Sequence, residues 1–200
     1  MKSISYIKLL FIILGNVYHV IFTSCYKFYL QLLGVKFKGK VMFWGKPKFK
    51  LAEGSQIIVG DNCRFRSGHT SNLIGINRPC ILSTNGGQDS WIKVGDGTGL
   101  SGTVIGAFSQ ITIGKNVKCG ANTLITDSDW HLDDPRSSPP RPIIIGDNVW
   151  LGVNSVVLKG VTIGENSVIG ANSLVVKDIP ANVIAAGNPC KVIKSINNNG

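Results

Sequence analysis

The chain has 200 residues, 44% of them hydrophobic and 16% charged, with 21 Lys and Arg against 11 Asp and Glu for a net charge of +10. That length suits one domain, and the positive excess favours an anionic ligand or surface. Nucleic acid is one such anion, but the chain has no zinc-ligand spacing, helix-turn-helix pattern or basic run interleaved with aromatics, so nucleic acid is set aside as a partner. Five cysteines (Cys25, Cys63, Cys80, Cys119, Cys190) are odd in number and contain no Cys-x-x-Cys pair. They read as reduced thiols of a cytosolic protein.

Residues Leu9 to Tyr26 contain no Asp, Glu, Lys or Arg, and the run is flanked by Lys2 and Lys8 before it and by Lys27, Lys36, Lys38 and Lys40 after it. Eighteen residues is the lower edge of a bilayer span, and Gly15, Asn16 and His19 interrupt it. The pattern fits an apolar helical segment over 1–33 lying in a membrane interface, its basic flanks drawn to anionic lipids. A second reading makes the same segment a cap on the first coil of a solenoid, whose open end exposes unpaired backbone. No small-x-small cleavage site follows, so it is not read as a signal peptide.

From Gly39 to Trp91, strand-like pieces (Val41–Phe43, Gln56–Val59, Leu73–Ile76, Cys80–Leu82) alternate with polar turns. Ser83 to Ser90 is a Gly-rich loop in which Asn85 and Asp89 are placed to contact a polyol, or simply to be solvated.

The strongest pattern runs from Ile145 to Pro180. Ile145, Leu151, Val157, Ile163, Ile169 and Val175 recur at every sixth position, and the residue four places after each is small or β-branched: Val149, Ser155, Val161, Ser167, Ser173, Ile179. A period of six matches neither a helix nor a lone strand. It fits a chain that turns a corner every six residues and buries one side chain per face, three faces to a coil. The same step links Ile113, Cys119 and Ile125, and fainter units begin at Val59 and Val94. The expected fold is therefore an all-β parallel solenoid.

The rule breaks at Asp127-Ser-Asp-Trp-His131. Six residues after Ile125 comes His131, a titratable ring in a slot meant for a buried aliphatic. An excursion loop over 131–142 follows, with Asp133, Asp134, Arg136, Arg141 and four prolines, before the repeat resumes at Ile145. Long loops in compact domains are usually functional or disordered. An imidazole titrates near neutrality and Asp127 or Asp129 can fix its tautomer, so His131 is a candidate base; equally, it ends the coil and faces water.

The runs Ile145-Gly-Asp-Asn-Val-Trp-Leu-Gly152, Gly160-Val-Thr-Ile-Gly-Glu-Asn-Ser-Val-Ile-Gly-Ala171, Val176-Lys-Asp-Ile-Pro180 and Ala186-Gly-Asn-Pro-Cys-Lys-Val-Ile193 resemble the hexapeptide-repeat acyltransferases. The resemblance is to the sugar O-acetyltransferases of the maltose, galactoside and nodulation type, including those of capsule and O-antigen clusters. It covers residues 92 to 195 strongly and 34 to 91 loosely.

That resemblance implies a left-handed parallel β-helix over 34–195, a hand opposite to the usual crossover rule and not readable from the repeat. It also implies a short C-terminal helix after Pro189 and a homotrimer whose active sites lie between subunits; residues 196–200 are expected to be a disordered tail. His131 matches the family's general base; of the local carboxylates read from the residues, Asp129 is paired with it as a catalytic candidate. The base takes the proton of a sugar hydroxyl as that oxygen attacks acetyl-CoA, with no acyl-enzyme and no metal required. Coenzyme A would meet Val153, Ala171, Val176, Lys177, Lys191 and Lys194. Relatives often carry Arg at the last two positions, and Lys keeps the charge without the bidentate geometry. Relatives also often carry Gly before the histidine, where this chain has Trp130, so Trp130 joins Ser101 and Asn85 as candidate acceptor contacts.

The expectation is an O-acetyltransferase acting on a hydroxyl of a cell-surface glycan or its precursor, in the cytoplasm at the inner face of the inner membrane. Two alternatives stay open: N-acetylation of an amino sugar, and a non-catalytic solenoid scaffold. A zinc hydratase on the same solenoid needs three imidazoles, and the chain has only His19, His69 and His131.

Overall fold

The computed structural model describes residues 2–196. Helix α1 (Lys2–Leu32) is followed by six coils of three strands each. The first coil holds β1 (Lys36–Phe37), β2 (Val41–Trp44) and β3 (Lys48–Lys50). The second holds β4 (Gln56–Val59), β5 (Cys63–Arg66) and β6 (Ile81–Thr84), and the third β7 (Trp91–Val94), β8 (Gly99–Ser101) and β9 (Val104–Ala107). Then come β10 (Gln110–Ile113), β11 (Lys118–Cys119) and β12 (Leu124–Thr126); β13 (Ile143–Ile145), β14 (Trp150–Leu151) and β15 (Val156–Val157); and β16 (Thr162–Ile163), β17 (Val168–Ile169) and β18 (Leu174–Val175). Strands β19 (Val183–Gly187) and β20 (Cys190–Ser195) close the upper end.

Within the coils each strand pairs in parallel with the one a full turn away, giving three faces: β1 to β16 on face one, β2 to β17 on face two, β3 to β18 on face three. This is a parallel β-helix, as the six-residue period predicts. The buried aliphatics stack in register: Ile113, Ile145 and Ile163 on face one, Cys119, Leu151 and Ile169 on face two, Ile125, Val157 and Val175 on face three. All nine are at most 4% exposed, and each buried aliphatic contributes about 1.5–3 kcal/mol.

The corners explain a second regularity. Three residues after the buried aliphatic stands Asn62, Asn116, Asn122, Asn148, Asn154, Asn166 or Asn172, each in the left-handed region with φ between 55° and 61°. Asn tolerates that conformation better than most residues. Its amide also bonds the next coil, Asn148 donating to Asn166 and Asn166 to Asn182, both at 3.0 Å. At Gly146 a Cβ would lie 2.6 Å from the Glu165 nitrogen, so only glycine lets successive coils close to sheet spacing.

The lower end is covered by the second half of α1. Leu30 is 1% exposed, Thr23 Oγ1 accepts the Phe43 N–H at 3.1 Å, and the Tyr26 hydroxyl donates to the Pro47 carbonyl at 2.7 Å. Tyr26 meets Phe43 edge-on at 5.8 Å, and Phe43 meets Phe65 at 5.3 Å, so an aromatic stack joins helix to coil. Upstream, Leu14, Val17, Tyr18, Val20 and Ile21 are all at least half exposed. Among the described residues no helix is long and apolar enough to cross a membrane.

Two expectations are corrected. The C-terminal segment is not a helix: β20 pairs antiparallel with β19, which lies parallel on β17. The physical reason is the open edge of face two, where the β-branched Val192 and Ile193 extend a ladder that a helix would leave unpaired. Leu73–Ile76 is a loop, not a strand. Gly75, at φ +104°, donates back to the Asn72 carbonyl at 3.1 Å, and the turn leaves Leu73 and Ile74 in solvent. The expected tail begins at Ile196, and the rest of it lies outside the described residues.

Leu30→Ala should cost about 2–5 kcal/mol of unfolding free energy, while Leu32→Ala, at a 70% exposed position, should stay within about 0.5 kcal/mol. Urea unfolding of the two variants checks the cap.

Candidate functional site

The excursion loop leaves the coil after β12, at the corner between faces three and one. Its stem is anchored by Asp127, whose fully buried carboxylate accepts the backbone N–H groups of Phe108 at 2.7 Å and Ser109 at 2.8 Å. Burial pushes its carboxyl above the ordinary value, although those backbone bonds pull the other way. The Asp127 carbonyl also accepts the Arg141 N–H at 3.0 Å, closing the loop at its base.

Trp130 stands in the left-handed region at φ 69°, which costs a non-glycine residue of order 1–3 kcal/mol. Its surroundings hold it there. Its indole N–H donates to Thr126 Oγ1 at 2.8 Å, its backbone N–H donates to Ser128 Oγ at 3.1 Å, and its ring meets Phe108 edge-on at 5.2 Å. The ring lies over Gly106, where a Cβ would come within 2.3 Å of it. The backbone at this position favours glycine, and this chain places an indole there with 45% of it exposed.

His131 follows directly, with its ring in solvent and no side-chain hydrogen bond among the described residues. Asp129 accepts from Lys159 Nζ and from the Ser138 N–H at 3.3 Å, rather than from His131. Lys159, whose side chain is 12% exposed, also donates to the Ser138 carbonyl at 2.9 Å, so one ammonium ties both ends of the loop to the fifth coil. The Lys159 ammonium holds the Asp129 carboxyl below the usual range. Farther out, Arg136 pairs with Asp134. The arrangement presents an accessible imidazole on a fixed stem.

The other predicted residues fall into groups. Val176 and Lys177 sit on the same corner as the loop, one coil above Lys159, and both are exposed. Val153 and Ala171 stack on the next corner, where the Val153 carbonyl accepts the Asn172 N–H at 2.8 Å. Lys191 and Lys194 pair with Ala186 and Ile184 on the β19–β20 ribbon. These six residues thus reach face three or its flanking corners and the upper ribbon, and the three lysines have no ion-pair partner among the described residues.

The three acceptor candidates are not brought together within one chain. Asn85 and Trp130 line one cavity of about 540 Å³ between face three and α1. Ser101 is 4% exposed and lines a 370 Å³ hollow on face two with Arg64, Arg66, Lys118 and Trp150. Lys159 was missed by the sequence reading. Its place two residues after Val157, at the loop's corner, was the available signal, but nothing in the repeat pairs it with Asp129. Among the described residues no group of three His, Cys, Asp or Glu side chains is placed to hold a metal. Cys63, Cys80, Cys119 and Cys190 are buried and free, and burial raises their thiols, that of Cys63 to about 11. They pack and are not nucleophiles.

A family model, the hexapeptide repeat of succinyl-transferase, matches residues 142–177. A putative acetyltransferase of Saccharomyces cerevisiae, YJL218W, is 46% identical over 155 residues, 76% of this chain and 62% of its own length. The galactoside O-acetyltransferase of Escherichia coli is 49% identical over 91 residues, 44% of this chain and 45% of its own. The crystal structure of the hexapeptide-repeat containing acetyltransferase VCA0836 of Vibrio cholerae is 31% identical, over 60% of this chain and 71% of that one, with a TM-score of 0.50. The same Vibrio protein complexed with acetyl coenzyme A superposes over 88% of this chain and 79% of that one, at 24% identity and a TM-score of 0.56. The chain belongs to the hexapeptide-repeat acyltransferases. It spans 62% of the yeast relative and 45% of the bacterial one.

The lowered Asp129 carboxyl gives a pH prediction. Its pairing stabilises the loop above the unfolded carboxyl value of about 3.9 and is lost as pH falls through the lower folded value. Protection of the 131–142 amides, taken relative to their intrinsic exchange rates at the same pH, should fall below about pH 4. Lys159→Met should show fast exchange already at neutral pH.

Proposed function

We propose that this chain is an acetyl-CoA-dependent O-acetyltransferase that acts on a hydroxyl of a cell-surface glycan or its precursor, with His131 as the general base. The observation that carries this reading is the exposed His131 imidazole on a braced loop, at the same coil corner as Val176 and Lys177. The E. coli relative that carries O-acetyltransferase in its name and the Vibrio relative complexed with acetyl coenzyme A support the choice of reaction and co-substrate.

Acetyl-CoA supplies the acetyl group as an activated thioester. The residues fit such a molecule: Val153 and Ala171 line a corner where small side chains leave backbone accessible, and Lys177, Lys191 and Lys194 offer unpaired ammonium groups to phosphates. His131 accepts the proton of the acceptor hydroxyl as its oxygen bonds the acetyl carbon, then returns that proton to the departing sulfur. Asp129 acts as a positioning residue, fixing through Lys159 and Ser138 the loop from which the imidazole projects. Trp130, its ring half open to solvent, offers a flat face to the acceptor sugar.

Because the three acceptor candidates lie on two different faces, a complete site needs two chains. A homotrimer that sets face two of one subunit, with Ser101, against the His131 corner of the next meets that need. The apolar, half-exposed residues Leu14, Val17, Tyr18, Val20 and Ile21 and the lysines that follow support a position at the cytoplasmic face of the inner membrane.

His131→Ala should lower kcat by about 10²-fold or more with acetyl-CoA affinity unchanged; steady-state kinetics against a glycan acceptor checks it, and full activity would remove His131 from the mechanism. Lys191→Ala combined with Lys194→Ala should raise KM for acetyl-CoA at low salt, with the difference shrinking at high salt.

A further inference from the structure

The 540 Å³ cavity lined by Trp130 and Asn85 has an ordered lining, and its residues other than these two have no part in the proposed function. At its lower end α1 contributes Tyr26, Tyr29 and Leu30, and the turn that follows adds Leu33, at spacings of three and four along the chain. Tyr29 and Leu33 remain about half exposed, so this wall is apolar and open. Next come Lys46, Lys48 and Lys50 around β3. Lys46 lies 5.5 Å from the Tyr26 ring centroid, and Lys50 Nζ is 3.4 Å from Asn85 Oδ1. No carboxylate lines the cavity. Beyond the lysines, Ser83 and Asn85 provide polar groups, joined at 3.4 Å, and the far wall is the Trp130 indole next to His131.

The lining therefore runs apolar, cationic, polar, aromatic along one face and ends at the Trp130 indole, one residue before the proposed base in the chain. From this order we propose that the cavity holds an acceptor sugar esterified to the phosphate of an isoprenoid-type lipid: lipid along Tyr29 and Leu33, phosphate among Lys46, Lys48 and Lys50, sugar against Asn85 and Trp130. This rests on the acetyltransferase reading and narrows its substrate class. Three ammonium groups without carboxylate partners suit a phosphate, because charge-assisted hydrogen bonds are the strong ones. A volume of this size suits one sugar with its phosphate. The apolar wall continues into the exposed face of α1, so the lipid enters from the side on which the apolar helix projects. A sugar nucleotide shares the phosphate but has no use for that wall.

The test is calorimetric titration of the full chain with three probes below their aggregation limits: farnesyl phosphate, farnesol and UDP-galactose. Acetyl-CoA is titrated in parallel, so that loss of the acetyltransferase reading shows as loss of that signal alone. The expected result is binding of farnesyl phosphate about tenfold or more tighter than either other probe. Lys48→Gln with Lys50→Gln should abolish that preference, and Lys93→Gln with Lys115→Gln, outside both the cavity and the Ser101 hollow, should keep it. Equal binding of farnesol and farnesyl phosphate would overturn the phosphate assignment, and equal or tighter binding of UDP-galactose would overturn the lipid. Binding of acetyl-CoA but of none of the three probes, as when a neighbouring subunit covers this face, would overturn the proposal as a whole.

Discussion

The structure depends on one steric constraint: a parallel coil closes every eighteen residues only if each corner can turn within four residues and still let the next coil settle at sheet spacing. Left-handed Asn residues meet the first requirement and corner glycines such as Gly146 the second. Once the corners are set, each strand needs only one inward aliphatic, and those side chains stack in columns without further specification. This is why strands of two residues, too short to be stable alone, hold together in the upper coils. Such a stack has two raw ends, and the chain treats them differently. It covers the lower with the aromatic and aliphatic side chains of a helix and extends the upper with a hairpin.

Against that regular frame, the corner after Ile125 is the exception, and the candidate chemistry sits there. The chain accepts a strained Trp130, a fully buried Asp127 and a polar bridge from Asp129 to Lys159 at one place. Each is unfavourable or neutral for stability by itself. Together they fix a loop whose first exposed side chain is an imidazole. Strain and buried polar groups concentrated where a repeat is interrupted, beside an imidazole with no side-chain hydrogen bond among the described residues, make this corner the candidate site on which the proposed function rests.

Much of this was legible in the residues. The hexad from Ile145 to Val175 carries the coil, because a period of six has few physical solutions, and the break at His131 is visible as a titratable side chain in an aliphatic slot. The Asn corners were equally present, three places after most aliphatics of faces one and two, and needed only the conformational preference of Asn to be interpreted. What the residues did not carry was long-range. Asp129 and Lys159 are thirty positions apart and meet only because 131–142 is looped out, so a local reading assigns Asp129 to its neighbour His131. The β19–β20 hairpin was missed because a resemblance suggested a helix, while the residues themselves, Val192 and Ile193, favour strand. The N-terminal segment offered two readings, and its second half serves as cap, while the described residues Leu14, Val17, Tyr18, Val20 and Ile21 stand at least half exposed.

The central claim, that this frame presents acetyl-CoA to a sugar hydroxyl, is tested most directly by titrating the full chain with acetyl-CoA in a calorimeter. The account predicts saturable micromolar binding of one molecule per chain. A folded, assembled protein that releases no heat with acetyl-CoA would contradict it and leave the coil as a scaffold.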